Sequence, residues 1–231
     1  MPLKITNRTI MEFNIKTTWE EITWKEYEQL EQMLNADIPA AYKTVNIIAL
    51  LTGQSVETIE RLPMSQFQKL IPHTEFLYTD AETRAVQMQY TINERVYNLR
   101  ADLTQITTSQ YIDYSAYMQE EPKDIVKLTS AFLVPDGHDY NDGYDMALVQ
   151  SDINDMCWLD VRAIAFFFRI QLAAFILILK SYLIPTMEKT KATKDQITEW
   201  EVHCDSMAYS LLYAESATKQ THALIQSLDG Q

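Results

Sequence analysis

Glycine is scarce in this chain, with four residues among 231. Glycine supplies the positive-φ turns of β-sandwiches and barrels and the close backbone approach of phosphate-cradling loops, so both are disfavoured. Neither GxxxxGK[ST] nor GxSxG occurs, which removes the P-loop and the strained nucleophile turn of hydrolases. Cysteine is equally sparse: Cys157 and Cys204 are the only two, and neither lies in a CxxC pair. Two ordinary buried thiols in a reducing compartment are expected, not a redox centre or a disulfide framework. The four histidines, His73, His138, His203 and His222, are scattered. His203 and Cys204 are adjacent, and neighbouring helical residues point about 100° apart, so they form neither a zinc pair nor a catalytic dyad. No three Lys or Arg residues are consecutive and the net charge is −13, so no direct duplex nucleic-acid binding is expected. No catalytic residue, cofactor or metal ligand is assigned.

What the chain has is apolar mass, 47% of its residues, enough to exclude wholesale disorder. It is concentrated in Met156–Ile184, MCWLDVRAIAFFFRIQLAAFILILKSYLI, with Pro185 expected to close the helix. A helix apolar on nearly every side lies either in a core or in a membrane. Its longest charge-free run, Ile170 to Leu179, is ten residues, against about 20 for a span. Arg169 would sit near the bilayer centre at a cost of roughly 2.5–3.5 kcal/mol. A buried core helix is therefore expected, with no membrane span. Arg162 and Arg169 are seven apart and Lys180 eleven further on, so all three project from nearly the same side. They form a basic stripe that must be paired, within the chain or at an interface.

The rest of the sequence predicts short helices: Trp24–Leu34 behind the capping box Thr23-Trp24-Lys25-Glu26, Ala40–Leu51 stopped by Gly53, and Val56–Arg61 capped by Ser55. A further helix from Pro63 or Ser65 is interrupted by Pro72. Residues 1–16 predict an extended arm or edge strand, and alternation around Met88, Tyr90 and Ile92, then Val96, Tyr97 and Leu99, predicts a β-hairpin turning at Asn93-Glu94. Helices over Gln110–Glu120, Ile125–Val134, Met146–Ile153 and about Asp195–Leu228 complete the chain. The fold class is mainly α, a helical domain around one long buried hydrophobic helix with a small β-hairpin. Residues 1–80 form an N-terminal arm and short-helix unit and residues 81–231 a hairpin plus helical core, the two sharing one core. MPLKITNRTI carries no apolar stretch after its positive charge, so no secretory signal is expected.

The loop Pro135–Tyr144 and the residue after it offer Asp136, Asp139, Asn141, Asp142 and Asp145 as oxygen ligands. Setting Gly143 at position 6 of the calcium-loop template places His138 at 1, Tyr140 at 3 and Val149 at 12. The template fails, and these residues are expected to build turns and cap the next helix.

Four stretches carry a resemblance. IIALLTGQSVETIERLP, Ile47 to Pro63, resembles the helix–Gly–Ser-capped-helix segment of tail-assembly chaperones of tailed bacteriophages. TWEEITWKEYEQL, AFLVPDGHDYNDGYD and FFFRIQLAAFILIL together are similar to proteins of the structural-gene blocks of tailed phages, the crAss-like phages of gut Bacteroidales in particular. The resemblance spans most of residues 19 to 184 and transfers no functional residue, because its patterns are those of packing and capping. It implies a non-enzymatic virion protein of the cargo or tail type, lodged in the capsid or tail interior and present in host cytoplasm during assembly. The implied partners are portal, tail barrel or tail proteins, with a homo-oligomer as a further option. A tail-assembly chaperone absent from the particle is the alternative, and a small host-directed enzyme the third.

Overall fold

The computed structural model describes residues 13–119, 124–189, 192–206 and 208. The first twelve residues of the expected arm and the expected final helix beyond residue 208 lie outside these. The fold is mainly α with one small antiparallel sheet, and its longest element is the apolar helix. The chain divides into two compact units, one of Met1–Ala85, Ile92–Glu94 and Met146–Val161, the other of Val86–Thr91, Arg95–Asp145 and Arg162–Gln231.

In the first unit the short helices form as their caps dictate. Helix α1, Trp24–Asn35, opens with Thr23 Oγ1 accepting the Glu26 N–H at 3.3 Å and Glu26 Oε2 accepting the Thr23 N–H at 2.9 Å. Helix α2, Ala40–Thr52, ends where Gly53 turns to φ 63° and its N–H reaches the Leu50 carbonyl. Ser55 caps α3, Val56–Glu60, and Pro63 precedes α4, Met64–Leu70. Pro72 does not end the helical course: the chain tightens into a 3-10 helix over Ile71–Tyr78, where a missing N–H near the start is no loss. Ile48, Ala49 and Ile59 pack into one cluster, with Val45, Phe67 and Leu70 against it.

Helix α7, Met146–Asp155, leads into the first turn of α8, Trp158–Lys189. That entry is pinned to the entry of α1 by a two-residue antiparallel bridge. The Trp24 N–H reaches the Met156 carbonyl at 2.9 Å and the Trp158 N–H reaches the Ile22 carbonyl at 3.0 Å. Around it Trp158 stacks on Tyr27, centroids 4.3 Å apart and planes 2° from parallel, and Trp19 meets Trp158 edge-on at 5.0 Å.

Strands β1, Gln89–Ile92, and β2, Arg95–Leu99, form the expected hairpin, burying Tyr90, Ile92, Tyr97 and Leu99 on alternate positions. Asn93 and Glu94 turn it with φ 49° and 64°, the left-handed pair a two-residue hairpin turn demands. The Asn93 amide also donates to Asp152 Oδ1 and Asp155 Oδ2 at 3.0 Å each, fastening the turn to α7. Glu94 is a poor residue for positive φ. Replacing it with glycine is expected to raise stability by about 0.5–1 kcal/mol, read as a higher denaturant midpoint. An unchanged or lower midpoint would mean the turn carries no backbone strain.

The second unit corrects one expected helix. Ile125–Val134 is not a single helix: α6 covers Ile125–Ser130, and Leu133–Pro135 forms a third strand, β3. It pairs antiparallel with β2 in the register Tyr97–Pro135, Asn98–Val134 and Leu99–Leu133, giving the order β1-β2-β3. A short apolar run is ambiguous by periodicity, and here sheet pairing wins because Leu133 and Val134 become fully buried on it. Helix α5, Thr108–Gln119, contributes Gln110, whose side chain donates to the Ala131 carbonyl at 2.6 Å and so satisfies the chain between α6 and β3.

Helix α8 corrects a second expectation, since it continues through Pro185 to Lys189. Proline leaves the carbonyl four residues back, that of Ser181, without its helical donor. Ser181 and Pro185 are both exposed, so water can take that acceptor. The Thr186 hydroxyl adds a bond to the Tyr182 carbonyl at 3.1 Å. Burial along α8 is also uneven. Val161, Ile164 and Phe168 are buried, whereas Ile178 is 64% and Tyr182 72% exposed. Helix α9, residues 194–206, covers part of the second half, and Ala173 and Ile176 cluster with Cys204, Ala208, Leu172 and Trp200.

Candidate interaction surface

The three stripe cations lie along α8 but do not converge, because eighteen residues of helix separate the outer two by about 27 Å. Arg162 and Arg169 are half-buried. Arg162 is engaged within the structure. Arg169 lies close enough to Tyr114 to oppose the burial that pushes that hydroxyl up to about 12. Lys180 donates to both carboxylate oxygens of Asp205 at 2.7 Å, and this bond, against a weaker desolvation, holds its ammonium above its ordinary pKa. The structure thus accounts for Lys180 by a partner on α9.

The acidic loop is tied down by its own acceptors. Asp142 Oδ2 accepts the Asp139 N–H at 2.6 Å, Arg100 pairs with Asp139 at 3.0 Å, and Asn98 donates to Asp136 at 2.8 Å. Gly137 and Gly143 supply φ of 77° and 73°. Tyr140 donates to Asp113 at 2.8 Å, and burial, with that carboxylate, pushes its hydroxyl pKa strongly upward. Among the described residues no three His, Cys, Asp or Glu side chains gather in a way that could hold a metal ion. Cys157 and Cys204 are both free thiols, half-buried and buried respectively.

A charged pair in the first unit escaped the sequence, because its members are 76 residues apart: Arg84 meets Asp160 at 2.8 Å. Desolvation raises the Asp160 pKa and outweighs Arg84, and Asp160 Oδ1 is buried without a hydrogen bond among the described residues. A carboxyl raised in the folded state adds stability fully below its ordinary pKa and loses it as pH rises through the folded value. At neutral pH the ionised Asp160 therefore costs stability even beside Arg84, and loss of Arg84 adds to that cost. Arg84→Ala is expected to cost about 1–2 kcal/mol at pH 7, a modest figure because Arg84 is one-third exposed. The loss should shrink to a few tenths in an Asp160→Asn background or below about pH 4, measured by denaturation at both pH values. An equal loss in both backgrounds would show that the pair is not coupled.

The feature the sequence could not orient is the exposed side of α8. Phe166, Ile170, Ala174, Ile178 and Tyr182 are all exposed, four residues apart, with Leu177 and Leu179 exposed alongside. No charge interrupts this ridge, and the helix is long and apolar enough to cross a membrane by length and composition. Its opposite side is occupied by α9, through Leu172, Ala173 and Ile176. Comparison with protein-family models, with curated proteins and with solved structures finds no match for this chain.

Proposed function

We propose that this chain is a non-enzymatic bacteriophage protein carried in the virion, of the cargo or tail type, working through contacts with other proteins. The observation that carries the contact role is the exposed, charge-free ridge of α8, since contiguous apolar surface on a water-facing helix marks a binding face. The phage setting is supplied by the resemblance of the stretches within residues 19–184. The implied partners are portal, tail barrel or tail proteins.

The same ridge supports a second reading, a tail-assembly chaperone, which would use it to hold a helical or unfolded client and leave before the particle matures. Quantitative mass spectrometry of purified virions against infected-cell lysate separates the two. Many copies per particle after stringent washing is the expected result. Abundance in lysate with none in particles would favour the chaperone, and absence from particles without co-purifying phage proteins would overturn both.

A further inference from the structure

We propose that residues 80–86 form a strap, latched to the first turn of α8 by Arg84, that swings open while the helices of the first unit stay folded. The backbone is the first ground. From Asp80 to Val86 no main-chain N–H or carbonyl bonds to another main-chain group among the described residues, and the segment is neither helix nor strand. Its two ends, in contrast, are fixed. The Thr79 carbonyl accepts the Trp19 indole N–H at 3.2 Å. At the other end the Gln87 N–H reaches the Tyr90 hydroxyl at 2.9 Å, and the Met88 carbonyl accepts the Leu99 N–H at 2.8 Å. A segment with no ladder of its own between two fixed ends can move without fraying its neighbours.

The side chains hold it at one point. Glu82, Thr83 and Ala85 are exposed, and Ala81 and Val86 are only half-buried. Among the described residues the one side-chain hydrogen bond from this stretch is that of Arg84 to Asp160 Oδ2, at 2.8 Å. Charge makes that bond decisive. Asp80 and Glu82 are acidic, and Arg84 is the only cation in the stretch. Burial works against the Arg84 charge, yet Asp160, with Cys157 and Glu20, holds its pKa above the ordinary value. Without the guanidinium an acidic strap faces these acidic neighbours, and the whole chain carries −13.

The latch is also weak enough to open. Arg84 is one-third exposed, and ion pairs open to water contribute little and weaken with salt. Asp160 Oδ1 is buried without a hydrogen bond among the described residues. Lifting the strap lets water reach that oxygen, which offsets part of the lost pair.

Proteolysis of a transiently opened segment tracks the open population when reclosing is fast. A glutamate-specific endopeptidase acting on the full chain at neutral pH reads that population at the Glu82–Thr83 bond, by mass spectrometry. A peptide of residues 79–88 is the fully open reference. The full chain is expected to be cut much more slowly than the peptide. Its rate should be unchanged by urea up to about 1 M, because a local opening exposes little surface. Arg84→Gln should raise the rate about tenfold, measured against a peptide carrying the same change. In an Asp160→Asn background the same substitution should change it by less than about twofold. Cutting as fast as the peptide overturns the proposal, as does a rate that climbs with urea in step with global unfolding. So does an Arg84→Gln rate within about twofold of the unaltered chain, or an equal rise in both backgrounds. The peptide and urea comparisons use the unaltered chain and stand even where a variant folds poorly.

Discussion

Replacing Trp158 with alanine is expected to lower the unfolding free energy by about 3–5 kcal/mol, the range for deleting a large buried aromatic side chain. Trp158 is 4% exposed at the first turn of α8. Its indole stacks on Tyr27 and receives the edge of Trp19, which in turn meets Phe76 edge-on at 5.2 Å. Removing it leaves two rings, those of Tyr27 and Trp19, facing a void that a rigid helix entry cannot close, because the backbone there is fixed by the bridge to Ile22 and Trp24. Trp158→Phe should recover about half the loss, since a ring remains to stack on Tyr27. Denaturation followed by far-ultraviolet circular dichroism measures both. Hydrogen exchange should show the loss of protection first in α1 and α7. A loss below about 1 kcal/mol would mean the aromatic cluster is loosely packed and its stacking contributes little.

The helices of the first unit were legible because caps are local. Thr23 with Glu26, Ser55 and Gly53 act within four residues of their own position, so the sequence shows the same partners as the structure. The hairpin was legible for a similar reason, since alternation and a two-residue turn are short-range signals. Strand β3 was not. Nothing within AFLV says that its partner lies 34 to 38 residues earlier, and the pairing of Leu133 with Leu99 is a tertiary fact. Pro185 misled in the other direction. Its cost to a helix depends on whether the freed carbonyl reaches water, and exposure is not written in the local sequence.

For the surface the division is sharper. Spacing alone placed Arg162, Arg169 and Lys180 on one side of α8, but Asp205 as the partner of Lys180 comes from another helix. The exposed ridge was hidden by the helix's own composition. When nearly every position is apolar, periodicity does not separate the buried side from the exposed one. Only the packing of Cys204 and Trp200 against Ala173 and Ile176 shows which side α9 covers among the described residues.

Phe132→Ala is expected to have an effect as large as Trp158→Ala, about 3–5 kcal/mol, in the second unit. Phe132 is 1% exposed, lies 3.6 Å from the Phe168 ring centroid with planes 16° apart, and takes the edge of Tyr114 at 5.0 Å. Its backbone bonds, N–H to the Thr129 carbonyl and carbonyl from the Arg100 N–H, survive the substitution. The loss is therefore one of packing, and Phe132→Leu should return all but about 1–1.5 kcal/mol of it. Tyr114 gives an independent readout. Its hydroxyl is pushed up to about 12 mainly by burial, so water entering a cavity beside it should bring its titration down toward the ordinary value near 10. A spectrophotometric tyrosine titration of the folded variant checks this. A stability loss with Tyr114 unmoved would mean the side chains had closed over the cavity. A downward shift of Tyr114 with a loss of several kcal/mol would place Phe132, Tyr114 and Phe168 in one rigid core that cannot collapse around the gap.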